Sequence, residues 1–175
     1  MKTGQSTKWA LTLMGGAVIA DGLLAGGNID RLLVATPAWR HIGLVGWADF
    51  TRSADLGNGA IVYPAMALGG TALVVLALIV FIVTGRQPRR AWLPVSLAAV
   101  LMCAALPCSL LATPYMMSLH HIGDQDPTQL QRAYDGAHYW GRLQSFLHLA
   151  AFLAELWAMS ALSGRAQATV NVAPV

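Results

Sequence analysis

Charged residues are scarce in this chain: they make up 11% of its 175 residues, whereas hydrophobic residues make up 56%. A water-soluble domain usually carries about 25% charged residues. So few charges cannot cover the surface of a soluble globule of this size, but a surface that faces lipid needs no such cover. The composition therefore excludes an ordinary soluble domain and favours one compact membrane-embedded unit.

Cysteine is also scarce, and the two that occur, Cys103 and Cys108, lie in one apolar stretch. A spacing of five residues places them roughly 140° apart around a helix. We therefore expect no disulfide between them. The chain has no CxxC motif, and two cysteines are too few for a disulfide framework.

A concentrated basic face is missing as well. The formal net charge is +3, but only Arg86, Arg89 and Arg90 form a cluster, and they lie between two apolar stretches. In a membrane protein such a cluster is typical of a cytoplasmic anchor. A nucleic-acid partner is not expected, because it would need a basic face.

Long apolar segments are what the sequence has in abundance. Four of them lie at about 9–27, 59–84, 91–119 and 139–162. Each is close to or above the roughly 20 residues that cross a bilayer as a helix. The sequence predicts an all-α fold, a four-transmembrane-helix bundle over residues 1–162 with a polar tail over 163–175. The first segment is predicted as a retained helix rather than a signal peptide, because it continues to Gly27.

The third apolar segment contains three prolines. Pro94 suits a first helical turn. Pro107 is expected to kink the helix or break its hydrogen-bond ladder, and Pro114 to end or bend the helix.

The distribution of lysine and arginine predicts that both termini lie in the cytoplasm, N-in and C-in. The residues that favour this orientation are Lys2, Lys8, Arg86, Arg89, Arg90 and Arg165. The remaining arginines are spread over two longer connections, which also carry most of the aspartates. We expect the inner membrane of a bacterium, with the lipid bilayer as the first partner.

The two outer connections, 28–58 and 120–138, are the long ones, and long connections in a compact domain are often functional. In the first, apolar and charged residues alternate around Trp47, which predicts a short amphipathic helix at the membrane interface. The second contains Asp-Pro and Gly-Asp turn signals and is predicted as a polar loop.

Three ionisable residues fall inside the apolar segments, where such groups are costly and are functional candidates. Asp21 and His148 lie about 20 Å and 21 Å from the inner ends of their helices, so they are expected to meet at one level. An Asp–His pair would fix the imidazole as a general base needs, or it would be a structural hydrogen bond between helices. Glu155 lies roughly 10 Å lower, and either lines the same cavity or faces interfacial water.

Histidines and aromatic residues concentrate on the outer side. The histidines fit no recognised ligand spacing, so no metal is predicted; if one binds, His120, His121 and His138 are the candidate ligands. Haem held by histidine is a further alternative. The aromatic residues form either an interfacial belt or the walls of a pocket for a flat hydrophobic ligand. They are Trp39, Trp47, Tyr63, Tyr115, Tyr139 and Trp140.

A particular layout accompanies these residues. The first connection contains Asn28 to Arg31, then Pro37-Ala38-Trp39, then Trp47 to Asn58; later come Thr113-Pro114, Arg132 and Tyr139-Trp140-Gly141-Arg142. This layout resembles the anthrone-oxygenase-like family of four-helix membrane proteins. The chain lacks the Trp-Asn-His segment of typical members, and Tyr139 to Arg142 stands in its place.

The resemblance implies a membrane oxidoreductase that oxygenates a polycyclic phenolic anthrone to a quinone without a cofactor. Such chemistry needs a base, an oxyanion partner and an aromatic-walled pocket. The catalytic residues are expected to be His148 or His41, with Asp21 beside the base and Arg142 at the oxyanion. The expected substrate contacts are Trp47, Tyr63, Trp140, Asn28 and Asp55.

Two other functions remain open from the sequence. One is a non-catalytic membrane subunit, or a protein that binds a small ligand, metal or haem, within a homo-oligomer or a larger membrane complex. The other is a transporter or channel, which a single four-helix unit would form only by oligomerising.

Overall fold

The computed structural model describes residues 3–84 and 89–170, and over these ranges it is helical with no strand. Two of the basic residues used to predict orientation, Lys2 and Arg86, lie outside the described residues. The helices are α1 (Thr3–Asp30), α2 (Thr36–Phe50), α3 (Gly59–Thr84), α4 (Arg89–Met117) and α5 (Pro127–Val170). Short π-helical segments, Arg31–Ala35 and Thr51–Asn58, flank α2, and a 3-10 turn, Ser118–His120, follows α4.

Three stretches of the described chain are long and apolar enough to cross a membrane: Lys8–Val83, Arg89–His120 and Pro127–Ser163. They make the chain compatible with an integral membrane protein, as its composition predicts. The first stretch has 76 residues and includes α1, α2 and α3. The four predicted apolar segments therefore fall within three helical stretches.

The first stretch is not one straight helix. Its backbone leaves helical geometry at Gly57 (φ −83°, ψ −122°) and at Gly43 (φ 78°, ψ 179°). A positive φ is strained for residues with a Cβ, which explains glycine at position 43. The chain turns back between α1 and α3, because a Cβ placed on Gly70 would lie 3.5 Å from the Cβ of Ala20.

The helices α4 and α5 run antiparallel. At one end the Nε of Arg90 donates a hydrogen bond to the carbonyl oxygen of Ala161 at 3.1 Å. At the other end Gly136 faces the ring of Tyr115. We call the end with Arg90 the inner end and the end with Tyr115 the outer end.

Small side chains fill the core of the bundle, defined here as the interior that α1, α3, α4 and α5 enclose. Among the described residues, nine of the fifteen buried members of its main cluster are alanines, and the larger ones are Met14, Val74, Phe81, Val95, Met102 and Leu162. Alanine allows helix backbones to approach closely, which is how membrane helices pack.

A second core lies at the outer end and is made of larger side chains. Its buried members are Trp39, Trp47, Ala48, Leu119, Leu130 and Ala133. We call this cluster, with the segments that carry it, the outer cap. The short helix predicted around Trp47 exists within α2, but Trp47 points into the cap while Phe50 is exposed.

The second outer connection differs from its prediction. It is helical from Pro127, so only residues 121–126 are irregular. The side chain of Asp126 accepts a hydrogen bond from the backbone N–H of Gln129 at 3.0 Å, and Pro127 follows it. This is an N-cap with proline in the first turn, so the Asp-Pro pair begins a helix instead of forming a turn in a loop.

The helix α4 also differs from its prediction. It continues from Arg89 to Met117 through all three prolines, so Pro114 does not end it. Pro94 is its sixth residue rather than part of its first turn. Membrane helices tolerate internal proline, since neighbouring groups satisfy the freed backbone. Cys103 and Cys108 on this helix are both free thiols.

Candidate functional site in the bundle interior

An aspartate and a histidine meet in the core of the bundle. The Oδ1 of Asp21 on α1 lies 2.8 Å from the Nδ1 of His148 on α5, and both side chains are 0% exposed. The prediction that these two residues meet at one level is confirmed. The meeting alone establishes no chemistry, so the surroundings of the pair decide what it can do.

Close helix packing positions the pair. A Cβ placed on Gly22, next to Asp21, would lie 3.0 Å from the ring of Phe152, one turn beyond His148. A larger residue at position 22 would push α5 away. The buried face of α1 continues below Asp21 through Ala17 and Met14, so the carboxyl group points into the core rather than toward lipid.

The pair leaves one nitrogen and one oxygen without a partner. The Nε2 of His148 and the Oδ2 of Asp21 are buried and have no hydrogen-bond partner among the described residues. We call such an atom open. When Asp21 accepts the proton on Nδ1, the open Nε2 carries the lone pair, which is the tautomer a proton acceptor needs.

A third ionisable side chain shares this interior. Glu155 is 0% exposed, and both of its carboxyl oxygens are open. It lies on α5 seven residues after His148, about two helical turns and nearly on the same face. The sequence left open whether Glu155 lines the same cavity as the pair or faces interfacial water. The second prediction is wrong, because the bundle encloses the side chain.

Arg142 does not join this interior. It is exposed, and its position six residues before His148 places it about 120° away around α5. It lines an open groove of about 480 Å³ at the outer end with Tyr134, His138 and Phe146. Arg142 therefore does not lie near His148, as the predicted oxyanion partner would have to. His41 is also exposed, on α2.

The three aromatic residues expected to wall one pocket lie in different places. Trp47 is 2% exposed and packs edge to face on Tyr134, with ring centroids 5.1 Å apart. The rings of Trp140 and Tyr139 pack edge to face, with centroids 5.0 Å apart. Tyr63 is 45% exposed, with the guanidinium of Arg31 at 5.5 Å from its ring centroid. Trp47 is thus a core residue of the cap.

The polar residues of the first connection serve different roles. Asp55 is buried and forms an ion pair with Arg31, whose guanidinium also lies 5.8 Å from the ring of Trp39. Asn28 is half-buried, and its Nδ2 is open. The family resemblance implied a substrate contact at Asp55, but its geometry is that of a structural partner for Arg31.

Arg52 is a structural residue that the sequence did not single out. Its guanidinium donates to the carbonyl oxygens of Leu119 (3.1 Å) and Ile122 (2.8 Å). It also bonds to the carboxylates of Asp49 and Asp124, each at 2.9 Å. Arg52 thereby joins the first outer connection to the second. Its place in a long connection rich in aspartate was the available signal.

The outer histidines do not assemble into a metal site. Within the described ranges, no three His, Cys, Asp or Glu side chains are grouped so that they could hold a metal ion. His120 and His121 are exposed. The Nδ1 of His138 lies 2.9 Å from the carbonyl oxygen of Tyr134, and its ring stacks on the Tyr134 ring.

Comparison with known proteins adds no relative. No protein-family model matches the chain, and neither the curated proteins nor the solved structures include a chain with significant similarity to it. The geometry of the buried pair is therefore the observation from which we infer a function.

Proposed function

We propose that the chain is a membrane-embedded oxidoreductase of the anthrone-oxygenase type, in which Asp21 and His148 act as the base. The observation that carries the proposal is the buried pair with its open Nε2. An imidazole whose Nδ1–H is held by a carboxylate keeps its other nitrogen ready to accept a proton. The largely apolar interior suits a hydrophobic aromatic or phenolic substrate that enters from lipid.

The proposed chemistry balances without an added electron carrier. Transfer of a methylene proton to His148 leaves a carbanion delocalised over the aromatic rings. The carbanion reduces dioxygen and forms a C–O bond, and the returned proton gives a hydroperoxide. Loss of the second methylene proton and cleavage of the O–O bond yield a carbonyl and water. One methylene group and one dioxygen become one carbonyl and one water.

The membrane arrangement we propose has four crossings, by α1, α3, α4 and α5. The packing of α1 against α3 and the backbone breaks at Gly43 and Gly57 support two crossings in the first stretch. The inner end carries Lys8, Arg89 and Arg90, which favours a cytoplasmic inner end in a bacterial inner membrane.

Oxygen uptake tests the proposal. With the purified protein in detergent and an anthrone as substrate, His148→Ala and Asp21→Asn are expected to lower the rate by about 10² or more. Arg142→Ala is the matched control: it lies on the same helix but faces the outer groove, so a much smaller loss is expected. Equal rates for the wild type and His148→Ala would overturn the proposal. A Soret band or stoichiometric metal in the purified protein would overturn its cofactor-free form.

The second candidate is a non-catalytic membrane subunit, and one observation favours it. Both members of the pair are fully buried and join α1 to α5, as a packing hydrogen bond would. In this case Asp21→Asn would retain assembly with partner proteins, and the chain would copurify with a larger complex while showing no oxygen uptake.

A further inference from the structure

The carboxyl group of Glu155 has no role in the chemistry proposed above. Glu155 is the single glutamate of the chain. It is fully buried, and both of its carboxyl oxygens are open. A carboxyl group without a partner in a membrane interior is costly, and such groups mark proton or ion pathways. Packing alone does not account for it.

Glu155 and His148 lie on the same buried face of α5. On α5, Ala151 lies on the same face between His148 and Glu155, and it is fully buried. Alanine has no atom beyond Cβ, so no bulky side chain at position 151 separates the two ionisable groups, and the ring of Phe152 is turned toward Gly22 of α1. The described parts of α3 and α4 contribute no buried carboxylate, histidine or basic side chain; besides apolar side chains they bury Thr71 and the thiol of Cys108, and the Oγ of Ser96 is open.

Glu155 lies on the inner side of the Asp21–His148 pair. The pair is fully buried, and the aromatic core of the outer cap lies over it at the outer end. Glu155 lies between the pair and the inner end, where Arg90 binds the carbonyl oxygen of Ala161. Six residues of α5 separate Glu155 from Ala161, about 9 Å along the helix.

We propose that Glu155 carries protons between the inner end of the bundle and the Asp21–His148 pair. In the inward step the carboxyl O–H of Glu155 gives its proton to the open Nε2 of His148, which leaves a carboxylate and an imidazolium held by Asp21. The Glu155 carboxylate then takes a proton from water at the inner end. Glu155 lies about 10 Å from the level of His148 and about 9 Å from that of Ala161 along α5, so the proposed transfers run through water molecules on both sides of its carboxyl group. The inference goes beyond the proposed function, because it holds whether or not the pair acts on a substrate.

Isotope labelling tests this path in the intact chain. Because Glu155 is the only glutamate, a ¹³C label on the glutamate carboxyl group reports it alone in solid-state NMR of the protein in lipid bilayers. Histidine labelled with ¹⁵N reports His148, assigned by the signal that His148→Gln removes. The Glu155 carboxyl signal is expected to change in step with the protonation of His148 as the pH is varied.

A substitution supplies the second measurement. Glu155→Gln is expected to slow exchange of the His148 ring protons with D₂O roughly tenfold or more, and Glu155→Asp is expected to restore part of the rate. Asp135→Asn, an exposed carboxylate of the same helix, is the matched control and is expected to change nothing.

Two results would overturn the proposal. One is exchange at His148 that is as fast in Glu155→Gln as in the wild type. The other is a wild-type Glu155 signal that stays constant while His148 changes protonation, a measurement that decides the matter even where Glu155→Gln does not fold. Neither readout uses oxygen uptake, so failure of the proton path and failure of the oxygenase proposal are distinguishable.

Discussion

Charged side chains of the outer cap have bonding partners, whereas the ionisable side chains of the bundle core leave several atoms without one. In the cap, the buried Asp55 is matched by Arg31, and Arg52 bonds to two carboxylates and two backbone carbonyls. In the core, Asp21 shares a single oxygen with His148, and both oxygens of Glu155 are open. Matched charges hold segments in place, whereas open protonatable groups can gain and lose protons. The contrast supports a structural role for the ion pairs of the cap and the chemistry that we propose for the core, while the cap also holds one open protonatable atom, the Nε2 of His138.

The two regions also differ in the size of their side chains. The cap is packed with tryptophan and leucine, and the core of the bundle largely with alanine. Large rings let short, irregular segments bury enough surface to hold together. Small side chains let long helices approach closely, which places α1 and α5 near enough for Asp21 to reach His148.

The largest effect is expected from breaking the pair in the core. Asp21→Ala leaves His148 buried without its partner and should destabilise the protein by about 3 kcal/mol, measured by thermal unfolding in detergent. The double variant Asp21→Leu, His148→Leu removes both polar groups and should recover much of this loss. A single variant as stable as the wild type would show that the pair is not sealed from water.

The next effect is expected where the cap meets the bundle. A Cβ on Gly136 would lie 2.2 Å from the Tyr115 ring, so Gly136→Ala should cost about 2 kcal/mol of unfolding free energy through overpacking. Gly141→Ala on the same helix is the matched control, because a Cβ there meets nothing within 4 Å. The control should be neutral or stabilising by up to about 1 kcal/mol. Equal effects of the two substitutions would contradict the packing described here.

The smallest effect is expected from the surface of the cap. Arg52→Ala removes four hydrogen bonds from a partly exposed guanidinium, and we expect a loss of about 1 kcal/mol. Limited proteolysis should cleave the segment 121–126 faster in this variant, since Arg52 binds its backbone at Ile122. Arg40→Ala, an exposed arginine of α2, is the control and should leave both measurements unchanged.

The sequence predicted distance along a helix better than direction around it. The rise per residue is constant, so the level of Asp21 and of His148 followed from counting alone, and the predicted meeting is confirmed. The direction in which Arg142 points depends on which helix faces meet, and four helices can pack in several ways. For that reason Arg142 was placed beside His148, whereas it lines the outer groove.

Local sequence signals failed where one motif serves two structures. Asp126-Pro127 is typical of a turn and also of a helix start, and only the hydrogen bond to Gln129 distinguishes them. Trp47 was expected at an interface because it alternates with charged residues, but its contacts with the second connection bury it. The oxygenase activity and its substrate remain predictions that the measurements above address.

The length of α5 has a mechanical consequence. Its 44 residues span about 66 Å, roughly twice the hydrocarbon thickness of a bilayer. One continuous rod thus begins in the cap, passes His148 and Glu155, and ends beyond the inner end. A tilt imposed on its first turns is transmitted to both side chains, because a hydrogen-bonded helix in a close-packed interior moves as a unit. A molecule that binds the exposed first turns of α5 would therefore shift the positions of His148 and Glu155 farther along the same helix.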